Sequence, residues 1–530
     1  MATFSSGPPS GASSGPTWGA SATARGEFSR ERALARMADE HFDVLVIGGG
    51  ITGCGVALDA ASRGLKTALV EGRDWASGTS SRSSKLVHGG LRYLAQREFR
   101  LVAQNLAERQ RVLNNAPHLV KPLPFLIPML TKDGKPAHRA VVKAYRSALW
   151  MYDLAGGARI GHRHRKVSRS EVKELAPGLA PDLMASGFIY WDAWADDARL
   201  TLLVARTAVE VYGAVAANHS HVQALLTDES GRARGATLYA GLDVRASVVI
   251  NATGVWADEL RPGPDETLRP AKGIHITLPG ELLELKRAVV LPVPGDRRSV
   301  FAIPWEGRVY IGTTDADYEG DLDEPGVTDA EIDYLLRAVN AVARTPISRE
   351  AVVGRWAGLR PLVKAATKER TADLSRRHSV DTDPASGVIT ITGGKLTTYR
   401  AMAADAVDAA GRVVGRSAGR ARTKHLRLLA QGRPSRPTSV ADSVWSHLVA
   451  RHGEQAPQVL ALAASDAALM EPLIDGLPYL KAEVVWAAQR EMAANADDVL
   501  ERRTRATLLD EQGAEAARAE VERLLAASQG

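Results

Sequence analysis

Residues 43–71 hold the pattern that most narrows what this chain can fold into. Asp43-Val44-Leu45-Val46-Ile47 is a short β-branched run, suited to a strand buried on both faces of a parallel sheet. Gly48-Gly49-Gly50-Ile51-Thr52-Gly53 follows and satisfies G-x-G-x-x-G. The first glycine permits a tight turn and the second lets backbone approach a pyrophosphate. The third allows close packing of helix on strand, with the helix N-terminus facing the phosphates. The spacing predicts a helix over Ile51–Arg63 with Gly64 as C-cap, then a strand over Lys66–Val70. Glu71 ends that strand about 20 positions after the glycines, where a carboxylate suits a ribose 2′-hydroxyl. A glycine-rich turn in an ordinary α/β domain is the plainer alternative. Strand, glycines, helix, strand and acid in this order favour a dinucleotide site.

One βαβ step later comes TSSRSSKLVHGGLRYL, residues 79–94. Six hydroxyl side chains, one histidine, two adjacent glycines and three cations share sixteen positions. The stretch is too polar for a core strand and too broken by glycine for a surface helix. It reads as a loop leading into a helix and lying against a charged ligand. Further on, the apolar strand Ala246–Ile250 runs into Asn251-Ala252-Thr253-Gly254-Val255-Trp256. This resembles the turn that flavoproteins of the D-amino-acid-oxidase superfamily place over FAD. Val388–Thr392 is a strand, and Gly393-Gly394-Lys395-Leu396-Thr397-Thr398-Tyr399-Arg400 then opens a helix. A helix N-terminus aimed at a flavin ring favours the charge of its reduced form.

These motifs, with FRLVAQNLAER, YWDAWADDARL, IPWEGRVYIGTTD and GLRPL between them, run in one order from about residue 42 to 400. The chain resembles the FAD-dependent, respiratory glycerol-3-phosphate dehydrogenase family. Ala482–Arg505 is similar to that family's C-terminal helical region. The resemblance implies an α/β fold with an FAD-binding Rossmann-like domain of the D-amino-acid-oxidase type, an interleaved antiparallel-sheet substrate domain and a C-terminal helical domain. It implies FAD contacts from Gly48, Gly50, Ile51, Thr52, Gly53 and Glu71. Others are Thr79, Ser80, Ser83, Ser84, Lys85, His88, Gly89 and Gly90, then Ala252, Thr253 and Gly254, and finally Gly394, Lys395, Leu396 and Thr397.

Glycerol 3-phosphate carries a dianionic head, which needs fixed cations, and arginine offers a planar fork for its oxygens. By resemblance Arg92, Tyr93, Arg360 and Lys395 line the substrate pocket. The proton acceptor is read as His275, in the period-two strand Lys272–Thr277. There it shares a face with Gly273 and Thr277, opposite Ile274 and Ile276. An imidazole titrating near neutrality suits that role, and the family's matching histidine belongs to the substrate pocket. A histidine bonded within the sheet is the plainer alternative. His88 is the second candidate, although its neighbours suggest cofactor binding. Thr313-Thr314-Asp315 reads as a turn that shapes the pocket, without a catalytic role for Asp315.

At 530 residues the chain is too long for one core. The FAD-binding part is expected over 41–120, 190–258 and 388–415, and the substrate part over 121–189 and 259–387. Strand-rich stretches Ser299–Ile303 and Val309–Thr313 support the sheet of the latter. Residues 416–438, dense in Arg, Gly, Ser and Pro, are expected to form a linker, and 439–530 a helical domain. Residues 1–40 lie outside the resemblance and are expected to be a disordered tail, on the Ser, Gly, Ala and Pro content of their first 25. The only cysteine, Cys54, excludes an internal disulfide, suits a reducing cytoplasm and reads as a small buried residue. No Cys-x-x-Cys pattern exists and no metal is expected. No run of about 18 apolar residues signals a membrane-spanning helix.

The formal charge is +6, unevenly spread. Residues 131–173 hold eleven Lys or Arg against Asp133, Asp153 and Glu171, an excess of eight. Within them Val142, Tyr145, Leu149 and Tyr152 share a helical face, with Trp150 and Met151 beside it. A basic, aromatic, amphipathic stretch lies on an anionic bilayer surface, and a cytoplasmic enzyme bound to the inner face of the cell membrane is expected. A solvated basic face is the alternative. Nucleic acid is not expected as a partner, since no nucleic-acid-binding motif accompanies the charge. A homodimer is left open. Three functions stand: a dehydrogenase delivering electrons to a membrane quinone, an oxidase of the same substrate using oxygen, and a flavin-binding surface protein without turnover.

Overall fold

The computed structural model describes residues 26–131, 139–261, 267–296, 298–363, 378–415 and 417–529. The β-branched run forms the strand His41–Ile47, whose Val44, Leu45 and Val46 are buried on both faces. Five strands lie parallel in the order Ile389–Gly393, Asp243–Asn251, His41–Ile47, Thr67–Val70, Val215–Ala217. His378–Thr382, Ala233–Leu238 and Val222–Thr227 complete this sheet in antiparallel pairings. The helix Ile51–Ser62 packs across it, with Cys54, Val56, Ala57 and Leu58 meeting Leu200 and Val204 on one side and Ala403 and Val407 on the other. Cys54 is buried and free of any disulfide.

The second sheet has ten strands and is antiparallel except where Ala288–Pro292 meets Val120–Leu130. Its long members are Val120–Leu130, Met184–Ala195, Leu268–Pro279 and Gly354–Val363. Three strands run across the expected divisions. Leu86–Val87 and the end of Met184–Ala195 belong to this sheet, although 86–87 and 190–195 were expected in the FAD-binding part. His378–Thr382, expected in the substrate part, pairs with Ile389–Gly393 in the first sheet. The two parts are therefore stitched through one another.

Two expectations are corrected. Within residues 1–40, Arg30–Asp39 is a helix capped by Ser29, with Ala33 and Met37 buried and the Phe28 ring against Trp75. An apolar residue every few positions lets this segment pack, whereas residues 1–25 lie outside the described residues. The stretch 417–438 is irregular but is no loose linker. Leu426 and Leu428 enter the core of the first sheet, and Thr423 donates to Asp59 at 2.8 Å. Interleaved leucines turn an arginine- and glycine-rich run into a packed strap.

From Asp442 the chain is helical, ending in Glu511–Gln529. Trp445, Trp486, Val499 and Leu508 share one core with Phe125, Trp305 and Trp356 of the second sheet. Among the described residues no helix is long and apolar enough to cross a membrane.

Arg400, the last residue of the GGKLTTYR motif, points into the protein. Its Nε and Nη2 donate to both oxygens of Glu108, at 2.7 and 2.6 Å, joining the helices Phe99–Asn115 and Tyr399–Val413. Removing one partner of a buried pair strands the other charge and costs about 3–5 kcal/mol. Arg400→Met should lower the unfolding midpoint accordingly. Glu108→Met combined with Arg400→Met should lose less, since the other cation on Glu108, Arg111, is partly exposed and no buried charge of the pair remains, and thermal or denaturant unfolding measures both.

Candidate active site

The cofactor cleft is built where three turns meet. Gly48 adopts φ +111° and backs onto Ala252, whose carbonyl would lie 2.6 Å from a Cβ there. The first glycine thus lets the fingerprint turn and the Asn251–Gly254 turn touch. Asn251 fixes the second turn by accepting from the Thr253 amide (3.2 Å) and hydroxyl (2.7 Å). Ser80 accepts from the Ile51 amide at 2.9 Å, so its hydroxyl stands at the helix N-terminus. Glu71 accepts from the amides of Gly49 (2.5 Å) and Arg73 (2.8 Å). Burial pushes its carboxyl up and these amide bonds pull it down, with a raised value as the result. The third turn carries Gly394 at φ +76°, and Thr397 accepts from the His88 amide at 3.0 Å. Gly89 donates to Asp192 (3.1 Å) and to the Tyr152 hydroxyl (3.0 Å).

Not all expected cofactor residues face the cleft in the same way. Ser83 donates to Asp197 through its amide (3.0 Å) and hydroxyl (2.6 Å), and Lys85 Nζ pairs with the same carboxylate at 3.1 Å. Thr79 donates to the Leu359 carbonyl at 2.6 Å. These side chains brace the loop. Asp197 is wholly buried in the first turn of the helix Asp197–Glu210 and needs cationic partners. Lys85 lies over the rings of Trp356 (5.1 Å) and Trp305 (5.5 Å). Burial and then Arg505 push its ammonium down to about 8, against the pull of Asp197.

His275 stands on Leu268–Pro279, buried, with Nε2 sharing a 2.8 Å hydrogen bond with the Ser84 hydroxyl. Its ring stacks on Trp356 of the neighbouring strand at 4.7 Å and 9°. Burial, and secondarily Lys85 and Arg360, hold the imidazole well below its usual range. The expectation of a ring titrating near neutrality is corrected, because removal from water and two nearby cations all oppose protonation. Arg360 lies beside it. Its guanidinium crosses Gly273, where a Cβ would collide with it and with the Thr313 hydroxyl. It donates to Asp315 (3.0 Å), Thr313 (3.3 Å) and the Thr314 carbonyl (3.2 Å). The Thr313–Asp315 turn is therefore the seat of the arginine. A second group joins Arg92, Tyr93 and Lys395. Lys395 Nζ is 4.0 Å and the Arg92 guanidinium 5.8 Å from the centre of the buried Tyr93 ring.

Trp356, Asp192, Asp197 and Arg505 were missed in the sequence. Trp356, Gly358 and Arg360 alternate along one strand, so period-two reading from Arg360 reaches the tryptophan. Asp197 sits in the quoted motif YWDAWADDARL, where acids break an apolar run. Nothing local marks Arg505.

Residues 43–404 match the family "FAD dependent oxidoreductase", and residues 389–530 match the "C-terminal domain of alpha-glycerophosphate oxidase". Glycerol-3-phosphate dehydrogenase 2 of Mycobacterium tuberculosis is 42% identical over 507 residues, covering 92% of this chain and 85% of that protein. The chain belongs to the FAD-dependent glycerol-3-phosphate dehydrogenase family. The mitochondrial glycerol-3-phosphate dehydrogenase of Mus musculus is 38% identical over 526 residues, 92% of this chain and 71% of that one. A crystal structure of glycerol-3-phosphate dehydrogenase from Bacillus halodurans complexed with FAD superposes with a TM-score of 0.70 at 29% identity. It covers 94% of this chain and 98% of that one.

FAD is the cofactor, and the cleft fits it. The glycine turn presents backbone at a helix N-terminus, Glu71 is a carboxylate where the fingerprint expects the ribose, and beyond a Cβ at Gly254 lies open space. Gly50 tests the fit. Its φ of −73° is ordinary, and a Cβ there would meet only the Ser80 hydroxyl, at 3.2 Å. Gly50→Val should therefore fold but keep FAD out, since the side chain would stand where the fingerprint expects the pyrophosphate. Wild type should be yellow and the variant colourless, by flavin absorbance of the purified proteins. Yellow Gly50→Val protein would place the pyrophosphate elsewhere.

Proposed function

We propose that this protein oxidises sn-glycerol 3-phosphate to dihydroxyacetone phosphate and delivers the electrons to a membrane quinone from the membrane surface. One observation carries the chemistry: a buried imidazole, His275, bonded to Ser84, and a seated guanidinium, Arg360, that reaches over Gly273 stand on two paired strands. Oxidation of a secondary alcohol removes a hydride from carbon and a proton from oxygen. FAD, when bound, supplies the hydride acceptor. His275 takes the hydroxyl proton, with the Ser84 hydroxyl sharing its Nε2. Arg360 binds the phosphate with a guanidinium whose plane is fixed by Asp315, the Thr313 hydroxyl and the Thr314 carbonyl. Lys395, held over Tyr93, and Arg92 add positive charge for the same dianion.

Arg360→Ala should lower glycerol 3-phosphate oxidation by orders of magnitude, a loss of about 2–5 kcal/mol for a shielded charge-assisted contact. Oxidation of plain glycerol, already poor, should fall much less. Equal losses would make Arg360 a purely structural partner of Asp315. His275→Ala should slow anaerobic flavin reduction by about 10²–10⁴-fold while FAD stays bound. The depressed imidazole is already neutral above its folded-state pKa. The wild-type kcat/KM profile, corrected for the substrate phosphate near pH 6, should then show no inflection at the ordinary histidine value of about 6.5. A reduction rate within a few-fold of wild type in His275→Ala would move the role to His88.

The membrane reading rests on the helix Arg139–Leu154. Leu149 and Tyr152 are buried, so Leu149, expected to enter the bilayer, cannot. Val141, Tyr145, Trp150, Met151 and Leu154 are exposed, the last by 80%. Lys143 and Arg146 stand among them. Exposed aromatic and apolar side chains interspersed with cations suit an anionic interface. Lys132 and Lys135 of the same basic stretch lie outside the described residues. Lys143→Glu with Arg146→Glu should release the protein from anionic vesicles in sedimentation, since each surface cation contributes about 1 kcal/mol. Activity with a soluble dye should survive and quinone-linked activity fall. Unchanged sedimentation would reduce the stretch to a solvated face. Rapid flavin reoxidation by oxygen, with none by a quinone analogue, would make the protein an oxidase.

A further inference from the structure

The C-terminal helical domain reaches the candidate site through one turn, residues 504–511. Arg505 is buried there with a left-handed backbone, φ +66°. Its guanidinium donates to the Ser81 carbonyl and to Asp197 (3.1 Å), and its Nε lies 3.4 Å from Asp196. Asp197 in turn holds Ser83 and Lys85, and Lys85 also donates to the Ser81 carbonyl at 3.2 Å. Between those two residues stands Ser84, whose hydroxyl bonds His275.

The same turn grips the histidine from the other side. The Leu508 carbonyl accepts from the Thr277 hydroxyl at 2.6 Å, and Thr277 is two positions beyond His275 on the same face of the strand. The Glu511 amide donates to the Val353 carbonyl at 2.8 Å, just before the strand that carries Trp356 and Arg360. Within seven residues one turn therefore fixes the loop that carries Ser84, the strand that carries His275 and the strand on which the imidazole stacks.

We propose that Arg505 is a positioning residue for the reaction, which sets the Ser84–His275 contact from the C-terminal domain through Ser81 and Asp197. A buried ion pair that served only to dock two domains would need no link to both partners of one hydrogen bond. The assignment rests on the reading of His275 as proton acceptor.

The test uses FAD-loaded enzyme reduced anaerobically by glycerol 3-phosphate in a stopped-flow instrument. Arg505→Met and Ser84→Ala should each slow flavin reduction by about 10–100-fold, by analogy with partners that orient metal-ligating side chains from behind. KM and FAD content should stay near wild type. Arg505→Lys, which keeps the charge but offers one nitrogen in place of the planar guanidinium that also reaches Asp196, should fall between. The double variant Arg505→Met/Ser84→Ala should be within a few-fold of the slower single one, since both break one unit. Losses that multiply, or an Arg505→Met effect confined to KM or FAD content, would overturn the proposal. If Arg505→Met does not fold, Arg505→Lys and Arg505→Lys/Ser84→Ala carry the same comparison, and multiplying losses there overturn it equally. A fast His275→Ala variant overturns the reading of the base instead, in a protein whose Arg505 is intact, so the two failures are distinct.

Discussion

A carboxylate without water holds the parts of this protein in register. Asp197 has no exposed surface and belongs to the first turn of its helix, where the backbone dipole favours a negative charge. The dipole alone does not offset desolvation, which costs several kcal/mol per ion. Lys85 from the cofactor loop and Arg505 from the C-terminal domain supply the rest. The same device recurs along this boundary. Asp74 receives Arg502 and Arg503, and Glu491 receives Arg199. Pairing wins over burial at Glu491 and holds it below the ordinary value of 4.5. The unfolded chain therefore binds the proton more readily, and stability from this pair is complete above that value and lost on acidification. Such charges add little net stability compared with apolar contacts. They exclude arrangements in which any one segment is displaced, because a single misplaced partner leaves an uncompensated ion.

What was legible in the sequence was local. Asp43 to Glu71 reads in order because strand, turn, helix and strand are contiguous and each has its own period. His275 was legible for the same reason: alternation along one strand separated its face from that of Ile274 and Ile276. Long-range commitments were not legible. Ser83, Ser84 and Lys85 look alike as polar loop residues, yet one bonds His275 and two serve Asp197, more than 100 positions away. The strap 417–438 was mistaken for a linker because composition counts arginine and glycine but not the spacing of Leu426 and Leu428. Arg505 has no local signature, since its significance is the destination of its side chain.

The basic helix shows how one amphipathic pattern can serve two surfaces. Its inner face is not apolar throughout. Tyr152 turns its hydroxyl to both oxygens of buried Asp192, at 2.7 Å, and accepts from Gly89 in the cofactor loop. Arg109 completes the group at 2.8 Å from Asp192. The helix is thereby anchored to the segment expected to contact the flavin, while Tyr145, Trp150 and Leu154 face outward. A periodicity count merges the two faces, because Leu149 and Tyr145 are one turn apart and both count as hydrophobic. Only packing tells which is spent inward.

The balance of charge around His275 follows from the proposed substrate. Lys85 and Arg360 both oppose protonation of the imidazole, and burial opposes it further. A ring so placed in the free protein is a weak base. A dianionic phosphate on Arg360 cancels one of the two cations and adds a negative field in a region shielded from water, where Coulombic effects are large. In the proposed reaction the contact that recognises the phosphate therefore also strengthens the base that removes the proton. Plain glycerol brings no such charge and leaves the imidazole weak. Discrimination against it then has two sources, lost binding and a poorer proton acceptor. The second acts in the transition state, where interaction energy raises the rate rather than merely saturating the site.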